Sequence, residues 1–354
     1  MKGLILSGGK GTRLRPLTHT QAKQLVPVAN KPILFYGIEA LVESGIKDIG
    51  IVVGETKAEI KEAVGNGSRW GARIAYIEQS APLGLAHAVK ISEGYLKKDP
   101  FVMYLGDNII TGGVLPFVER FVKERPNSQI LLAHVPNPSE FGVAELSKGR
   151  VVRLEEKPKK PKSDLALVGV YLFDSTIFEA VNAIKPSKRN ELEITDAIQY
   201  LIRKKFNVQS HIIDGWWKDT GKLEDILEAN RLVLDSKQLC IEGSVDKNSR
   251  VEFKVVVSKG ASIVNSSIRG PAVIGENVRI VNSYIGPFTS IDRDVYLENV
   301  ELEHSIVLQH SKIKNIRKRI SDSLIGKNVV IEPSNGRPES YQFMVGDNSS
   351  FKIH

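Results

Sequence analysis

The chain changes its hydrophobic period about two thirds of the way along. Up to residue 125, short apolar runs alternate with amphipathic stretches. "GLILS" (3–7), "DIGIVVG" (48–54), "ARIAYIE" (72–78) and "FVMYLGD" (101–107) have the length and makeup of buried parallel strands. Between them, "KPILFYGIEALVESG" (31–45), "KAEIKEAVG" (57–65) and "GLAHAVKISEGYL" (84–96) repeat apolar residues at helical spacing. Pro32 suits a helix start and Gly45 a helix stop. Strand alternating with helix predicts a doubly wound α/β sheet. Beyond residue 125 strands dominate, in "SQILLAHV", "GVAEL", "RVVRLEEKP" and "LALVGVYLF". Helical patterns return near 174–183, 193–204 and 222–236.

Near residue 240 the period becomes six. Val245, Val251, Val257 and Ile263 are six apart, as are Ile268, Ile274 and Ile280, and then Ile285, Ile291 and Leu297. Each change of register is one five-residue step, and glycine follows Ile274, Ile285 and Ile325. This is a hexapeptide β-helix pattern: each aliphatic side chain points inward and stacks on its equivalent one coil away. The repeats degrade near "KIKNIRKRI" (312–320), and Ile325 and Ile331 form a last pair before a polar tail. Two domains are expected, 1–236 and 237–354.

A length of 354 residues accommodates two domains, and 42% hydrophobic with 25% charged residues is ordinary for a globular chain. No run approaches the roughly 18 apolar residues of a membrane span, so no membrane partner is expected. "GLIL" after Met1 and Lys2 is cut off by Ser7 and glycines, and reads as a strand instead of a signal segment. The single cysteine, Cys240, excludes an internal disulfide and fits a reducing, cytoplasmic setting. The net charge of +8 has no aromatic-interleaved basic helix to direct it at nucleic acid. A phosphate-rich small substrate accounts for it equally.

Candidate chemistry starts at "LILSGGKGTRLRP" (4–16). Gly8, Gly9 and Gly11 let backbone N–H groups approach a phosphate; Arg13 can fork onto two phosphate oxygens; Lys10 and Lys23 can act as point charges. The spacing matches neither the P-loop nor the dinucleotide fingerprint, so a plain strand-to-helix turn stays open. "YLGDNII" ends an apolar strand on Gly106 and exposes Asp107; "GWWKDTG" places Asp219 similarly. Two carboxylates at two strand ends could clamp Mg²⁺, which takes few protein ligands and leaves the rest to phosphate and water. Each could equally be a helix cap or turn residue. "RLEEKPKKPKS" sets Glu156 and Lys157 at a strand end, where a lysine can meet phosphate and a glutamate can accept from sugar hydroxyls; a solvated charge run is the bland reading. In "RNELEITDAI", Thr195 and Asp196 sit early in a helix.

"GLILSGGKGTRLRPLTHTQAKQLVPVANKPI", "EQSAPLGLAHA", "YLGDN", "FGVAEL", "LEEKP", "LVGVYLFD", "ELEITDAI" and "WWKDTG" follow one another in this order. Together they resemble the sugar-1-phosphate nucleotidylyltransferases, most closely the glucose-1-phosphate thymidylyltransferases, over roughly residues 1–235. The six-residue repeats resemble the long form of that family. The resemblance implies a Rossmann-like doubly wound mixed sheet followed by a C-terminal left-handed parallel β-helix. It implies transfer of a thymidylyl group from dTTP to glucose 1-phosphate, with Mg²⁺ and release of pyrophosphate. Leu6, Gly8, Gly9, Gly11, Thr12 and Arg13 would hold the triphosphate side of the nucleotide, with Arg13 on the departing pyrophosphate. Lys23 would contact phosphate near the transferred phosphorus, and Gln79 and Gly84 would read the base. Asp107 and Asp219 would bind the metal. Asn108, Gly142, Glu156, Lys157, Val168, Tyr171 and Trp217 would line the sugar-phosphate pocket, with Lys157 on the sugar's phosphate. Val168 stands where the short forms suggest threonine.

Two other activities stay open on the residues. One is uridylyl transfer from UTP to glucose or N-acetylglucosamine 1-phosphate. The other is an additional acyltransferase in the β-helix, where His304 and His310 lie. The β-helix is expected to assemble a homo-oligomer, because its flat faces and final coil need covering.

Overall fold

The structure, a computed structural model, describes residues 1–9, 11–334 and 342–353. Lys10, a candidate phosphate ligand, lies outside the described residues. The chain forms two compact units. The first comprises Met1–Lys10, Gln21–Leu25 and Ile33–Asp219; the second comprises Gly11–Thr20, Val26–Pro32 and Thr220–His354.

In the first unit the elements run β1 (Lys2–Ser7), α1 (Ile33–Glu43), β2 (Asp48–Val53), α2 (Lys57–Val64), β3 (Arg73–Glu78), α3 (Leu85–Ile91) and β4 (Phe101–Leu105). They continue as β5 (Asn108–Ile110), α4 (Leu115–Glu124), β6 (Ser128–His134), β7 (Gly142–Ser147), β8 (Arg150–Glu156) and β9 (Leu165–Phe173). Last come α5 (Ile177–Ala183), α6 (Ile194–Arg203), β10 (Val208–Ile212) and β11 (Trp217–Asp219). The main sheet has the order β8-β7-β9-β4-β1-β2-β3, with β6 pairing both β9 and β10. β4, β1, β2 and β3 are mutually parallel, as their alternation with helices requires. β9 runs antiparallel to β4, β6 and β7, so the sheet is mixed.

Helices cover both faces. One core joins Leu4, Leu6, Phe101, Met103 and Tyr171 to α3, α5 and α6. The other joins Ile5, Ile51, Tyr104, Val168 and Val170 to α1, α2 and α4. Successive residues of one strand therefore feed opposite cores. Gly45, at φ +79°, closes α1 in the left-handed region, the role its sequence position suggested.

The second unit is built on a parallel β-helix. Six-stranded sheets run from Cys240–Ile241 to Leu324–Ile325 and from Ser244–Val245 to Val330–Ile331, and a four-stranded sheet runs from Arg250–Glu252 to Glu301–Leu302. Ile263 pairs with Ile280 and Ile280 with Leu297, a rise of one coil every seventeen residues. Two six-residue steps and one five-residue step account for that length. Ile268, Ile274, Ile280, Ile285, Ile291 and Leu297 are all 0% exposed. Beyond Leu302 the four-stranded sheet continues only as a bridge to Ile320, where the sequence repeat degrades.

Helix α7 (Leu223–Asp235) falls within this unit. Its Asn230 is 0% exposed. The Asn230 amide accepts from Ala29 N–H at 2.8 Å and from Ser290 Oγ at 2.7 Å, and donates to Phe288 O at 3.1 Å.

Candidate active site

The Asp107 carboxylate is the centre of a polar cluster in the first unit. β4 stops at Leu105, and the Gly106 N–H donates to Leu6 O at 2.9 Å. Any Cβ on Gly106 would lie 2.9 Å from that carbonyl, so only glycine lets the chain turn there so tightly. β5 then pairs antiparallel with β11, setting Asp219 opposite Asn108. This two-stranded ladder carries Asp219 to the neighbourhood of Asp107.

Lys23, in a 3₁₀ turn and 6% exposed, points its ammonium at both acids. Its Nζ lies 2.5 Å from Asp107 Oδ2 and 3.9 Å from Asp219 Oδ1. Burial raises the Asp107 pKa, but the Lys23 charge and hydrogen bonds from Lys23 and Asn108 outweigh it and hold the carboxyl below its ordinary range. The acid is therefore ionised at neutral pH. Two carboxylates already gathered around one positive charge are hard oxygen donors of the kind a small divalent cation takes. The residues fit such an ion. Among the described residues there is no group of three or more His, Cys, Asp or Glu that could hold a metal ion.

Asn108 and Trp217 sit directly behind Asp107. The Trp217 indole N–H donates to Asn108 Oδ1 at 2.5 Å, and Asn108 Nδ2 donates to Asp107 Oδ1 at 2.8 Å. Asn108 is 2% exposed.

A second group lies at the ends of β1 and β3. A Cβ on Gly8 would come within 3.0 Å of Gln79 Oε1, and one on Gly9 within 3.7 Å of Gln24 Nε2. Gln79 Nε2 lies 3.0 Å from His87 Nδ1 and 3.4 Å from Gly84 O. Burial and the Lys90 charge lower the His87 pKa, which favours the neutral ring that accepts this amide. Gly84 has φ +102°, and a Cβ there would fall 2.4 Å from Leu192 O. His87 and Gln24 belong to this group, and the sequence reading did not single them out. Gln24 Oε1 is buried with no hydrogen-bond partner among the described residues. Leu6 packs in the first core, so any contact it makes with a ligand falls to its backbone.

The third group is built on β7, β8 and β9. Gly142 faces Glu156 across the β7–β8 ladder. A Cβ on Gly142 would lie 2.7 Å from Thr195 Cγ2, 3.1 Å from Glu156 Oε2 and 3.2 Å from Leu167 Cδ1. Burial and the Glu193 charge raise the Glu156 pKa, partly offset by Lys157 and Arg189. Arg189 reaches Glu156 at 3.4 Å and Glu193 at 3.6 Å. Lys157 is exposed, with φ +43°, and its N–H donates to Phe141 O at 2.9 Å. Tyr171 is buried, and burial and Glu156 push its hydroxyl pKa up. Val168 lies on β9, and any contact it makes with a ligand falls to its backbone, as for Leu6. Its side chain is 0% exposed in the opposite core, with Ile5 and Val170, because strand residues alternate faces. Leu167, one residue earlier, packs in the first core and borders the space at Gly142.

Gly11, Thr12 and Arg13 belong to the second unit. Gly11 adopts φ +65° and starts the 3₁₀ turn Thr12–Leu14; its carbonyl accepts from Thr18 Oγ1 at 2.7 Å. Any Cβ on Gly221 would lie 3.2 Å from Arg13 Nη2. A cleft of about 660 Å³ on the β-helix, lined by Arg250, Asn265, Asn282, Tyr284 and Arg317 among others, contains none of the expected site residues.

Residues 2–236 match the nucleotidyl transferase family. The chain belongs to that family. This nucleotidyl transferase is 56% identical to a glucose-1-phosphate thymidylyltransferase of Streptomyces antibioticus, across 100% of this chain and 99% of the relative. It is 54% identical to one from Streptomyces griseus, with the same coverage. A solved structure from Bacillus anthracis, described as a glucose-1-phosphate thymidylyltransferase in complex with sucrose, matches at 35% identity and TM-score 0.64, covering 68% of this chain and 98% of that one. The Streptomyces relatives align along the whole nucleotidyl transferase, β-helix included. Among the described residues no helix is long and apolar enough to cross a membrane.

Proposed function

We propose that the chain transfers a thymidylyl group from dTTP to α-D-glucose 1-phosphate, giving dTDP-glucose and pyrophosphate. The observation that carries this reading is the Lys23 ammonium set between the Asp107 and Asp219 carboxylates. Asp107 and Asp219 would hold Mg²⁺. When bound, the ion supplies positive charge to the phosphate oxygens.

The nucleophile is a phosphate oxygen of the sugar phosphate, already ionised near pH 7, so no general base is needed. It attacks the α-phosphorus in line; the new P–O bond forms as the bond to the β-phosphate breaks, and pyrophosphate leaves with the electron pair. What the protein supplies is alignment of two polyanions and fixed positive charge. Lys23 would neutralise charge at the transferred phosphorus, Arg13 would meet the departing pyrophosphate, and Lys157 would hold the sugar's phosphate. Gly8, Gly9, Gly11 and Thr12 would bring backbone donors to the triphosphate. Glu156, with Gly142 leaving room beside it, would accept from sugar hydroxyls. Gln79 Oε1 has no hydrogen-bond partner among the described residues and would accept the N3–H of thymine, a donor that cytosine lacks.

The test is a matrix of five NTPs against glucose, galactose, mannose and N-acetylglucosamine 1-phosphates, reading pyrophosphate. Fastest turnover is expected for dTTP with glucose 1-phosphate. Equal kcat/KM for UTP would shift the assignment to uridylyl transfer, since one methyl contact is worth about 1–3 kcal/mol. Asp107→Asn should lower turnover on the order of 10², the scale of losing a preorganised electrostatic group. Wild-type pyrophosphate release from that variant would overturn the metal assignment. We propose too that the β-helix joins copies into a homo-oligomer, to be checked by light scattering.

A further inference from the structure

We propose that Trp217 and Asn108 are positioning residues for the Asp107 carboxylate, and that the Trp217 indole sets which way round the Asn108 amide sits. This rests on the reading of Asp107 as a cation ligand. The resemblance puts both residues in the sugar-phosphate pocket; the proposal gives them a role at Asp107 as well.

The argument starts from donors and acceptors. An indole N–H can only donate, so the amide atom facing it at 2.5 Å is Oδ1. That choice turns Nδ2 toward Asp107, where it donates to Oδ1 at 2.8 Å. Lys23 holds the other oxygen, Oδ2, at 2.5 Å. Both carboxylate oxygens thus have a fixed partner, and the plane of the group is set. A reversed amide would aim its oxygen at the carboxylate and its NH₂ at the indole, a mismatch at both ends.

The surroundings are built for this pair. A Cβ on Gly169 would lie 2.3 Å from Asn108 Oδ1, so β9 passes the amide with no room for a side chain. Trp217 is braced in turn by the Phe141 ring, edge-on with centroids 5.3 Å apart. The β5–β11 ladder puts Trp217 opposite Ile110 and Asp219 opposite Asn108, so one short strand delivers both the brace and the second acid. At 2% exposure, Asn108 has little surface left for a substrate. Outer partners that orient a ligating carboxylate set metal affinity without touching the metal.

The test uses the full chain without nucleotide. Mn²⁺ binding is read by electron paramagnetic resonance for wild type, Trp217→Phe and Asp107→Asn. Trp217→Phe keeps a ring against Phe141 but removes the donor. It should weaken Mn²⁺ about 10-fold, the range for losing such an outer partner, and Asp107→Asn should lose binding outright. In turnover, Trp217→Phe should lower kcat and raise the Mg²⁺ requirement, with KM for glucose 1-phosphate unchanged. Wild-type Mn²⁺ affinity in Trp217→Phe, with binding lost in Asp107→Asn, would overturn the inference alone. Retained binding in both would overturn the reading of Asp107 beneath it. A raised KM for glucose 1-phosphate with unchanged kcat would confine Trp217 to the sugar pocket. Independently of any variant's folding, the wild-type indole N–H resonance of Trp217 should lie at a strongly hydrogen-bonded position; an unbonded shift would refute the contact.

Discussion

A few side chains carry opposite electrostatic signs at this site. Asp107 is pulled down by Lys23 despite burial, whereas Glu156 is pushed up by burial and by Glu193, and Glu193 itself is raised by burial. For a raised carboxyl, the contribution to stability is whole below its unfolded value and is lost as pH climbs through the folded one. For Asp107 the sense is reversed: its contribution is present above the unfolded value and fades as pH falls. Glu156→Gln should therefore make the urea midpoint less dependent on pH above the ordinary glutamate value of 4.5. Midpoints measured from pH 4.5 upward check this, and parallel slopes for wild type and variant would contradict it. Gln79→Ala should blunt discrimination between dTTP and CTP by roughly tenfold, the scale of one or two hydrogen bonds, while leaving triphosphate affinity in place. Unchanged selectivity in competition assays would place base reading elsewhere.

Among elements, the β-helix is the most regular, and its corners are as informative as its stacked aliphatics. Asn265, Asn282, Asn299 and Asn315 all have φ between +45° and +53°, one per coil at the same corner. Asn265 Nδ2 donates to Asn282 Oδ1 at 2.6 Å, and Asn299 Nδ2 to Asn315 Oδ1 at 2.5 Å. Asparagine tolerates the left-handed region and ladders to the next coil. Asn282→Ala should cost about 1 kcal/mol, from backbone strain plus the lost bond. Asn282→Gly, which relieves the strain, should cost less; thermal melts that rank the two the other way would refute this account. The same logic shows why element detection was uneven. β1, β2 and β4 are almost wholly buried, so their apolar runs stand out. β10 has no fully buried residue, and β5 and β11 are three residues long, so no period could reveal them. In β9 all nine residues are buried. An uninterrupted apolar run does not tell which residues face which side; only the structure puts the Leu167 side chain in one core and Val168 in the other.

At the scale of the whole molecule, the division of the chain does not follow its sequence order. α7 reads as the last helix of the α/β pattern, yet its buried Asn230 is satisfied by Ala29, Phe288 and Ser290 within the second unit. A chain truncated after residue 236 loses two of those partners and leaves a buried amide half satisfied, at about 1–3 kcal/mol before any lost packing. It should melt at a lower temperature than the full chain and bind a dye for exposed apolar surface. An unaltered melt would show that α7 does not need the β-helix.

Sequence alone was enough for what depends on local pattern: two periods, hence an α/β sheet and a β-helix, and the strand-end placement of Asp107. It also carried the motifs that mark a nucleotidyl transferase. Tertiary structure alone decided which groups meet. The pairing of Lys23 with two acids, the Trp217–Asn108 brace, the room that Gly142 and Gly169 leave, and the home of α7 all join residues far apart in the chain. Such contacts arise from strand order and side-chain facing, and a linear pattern encodes neither.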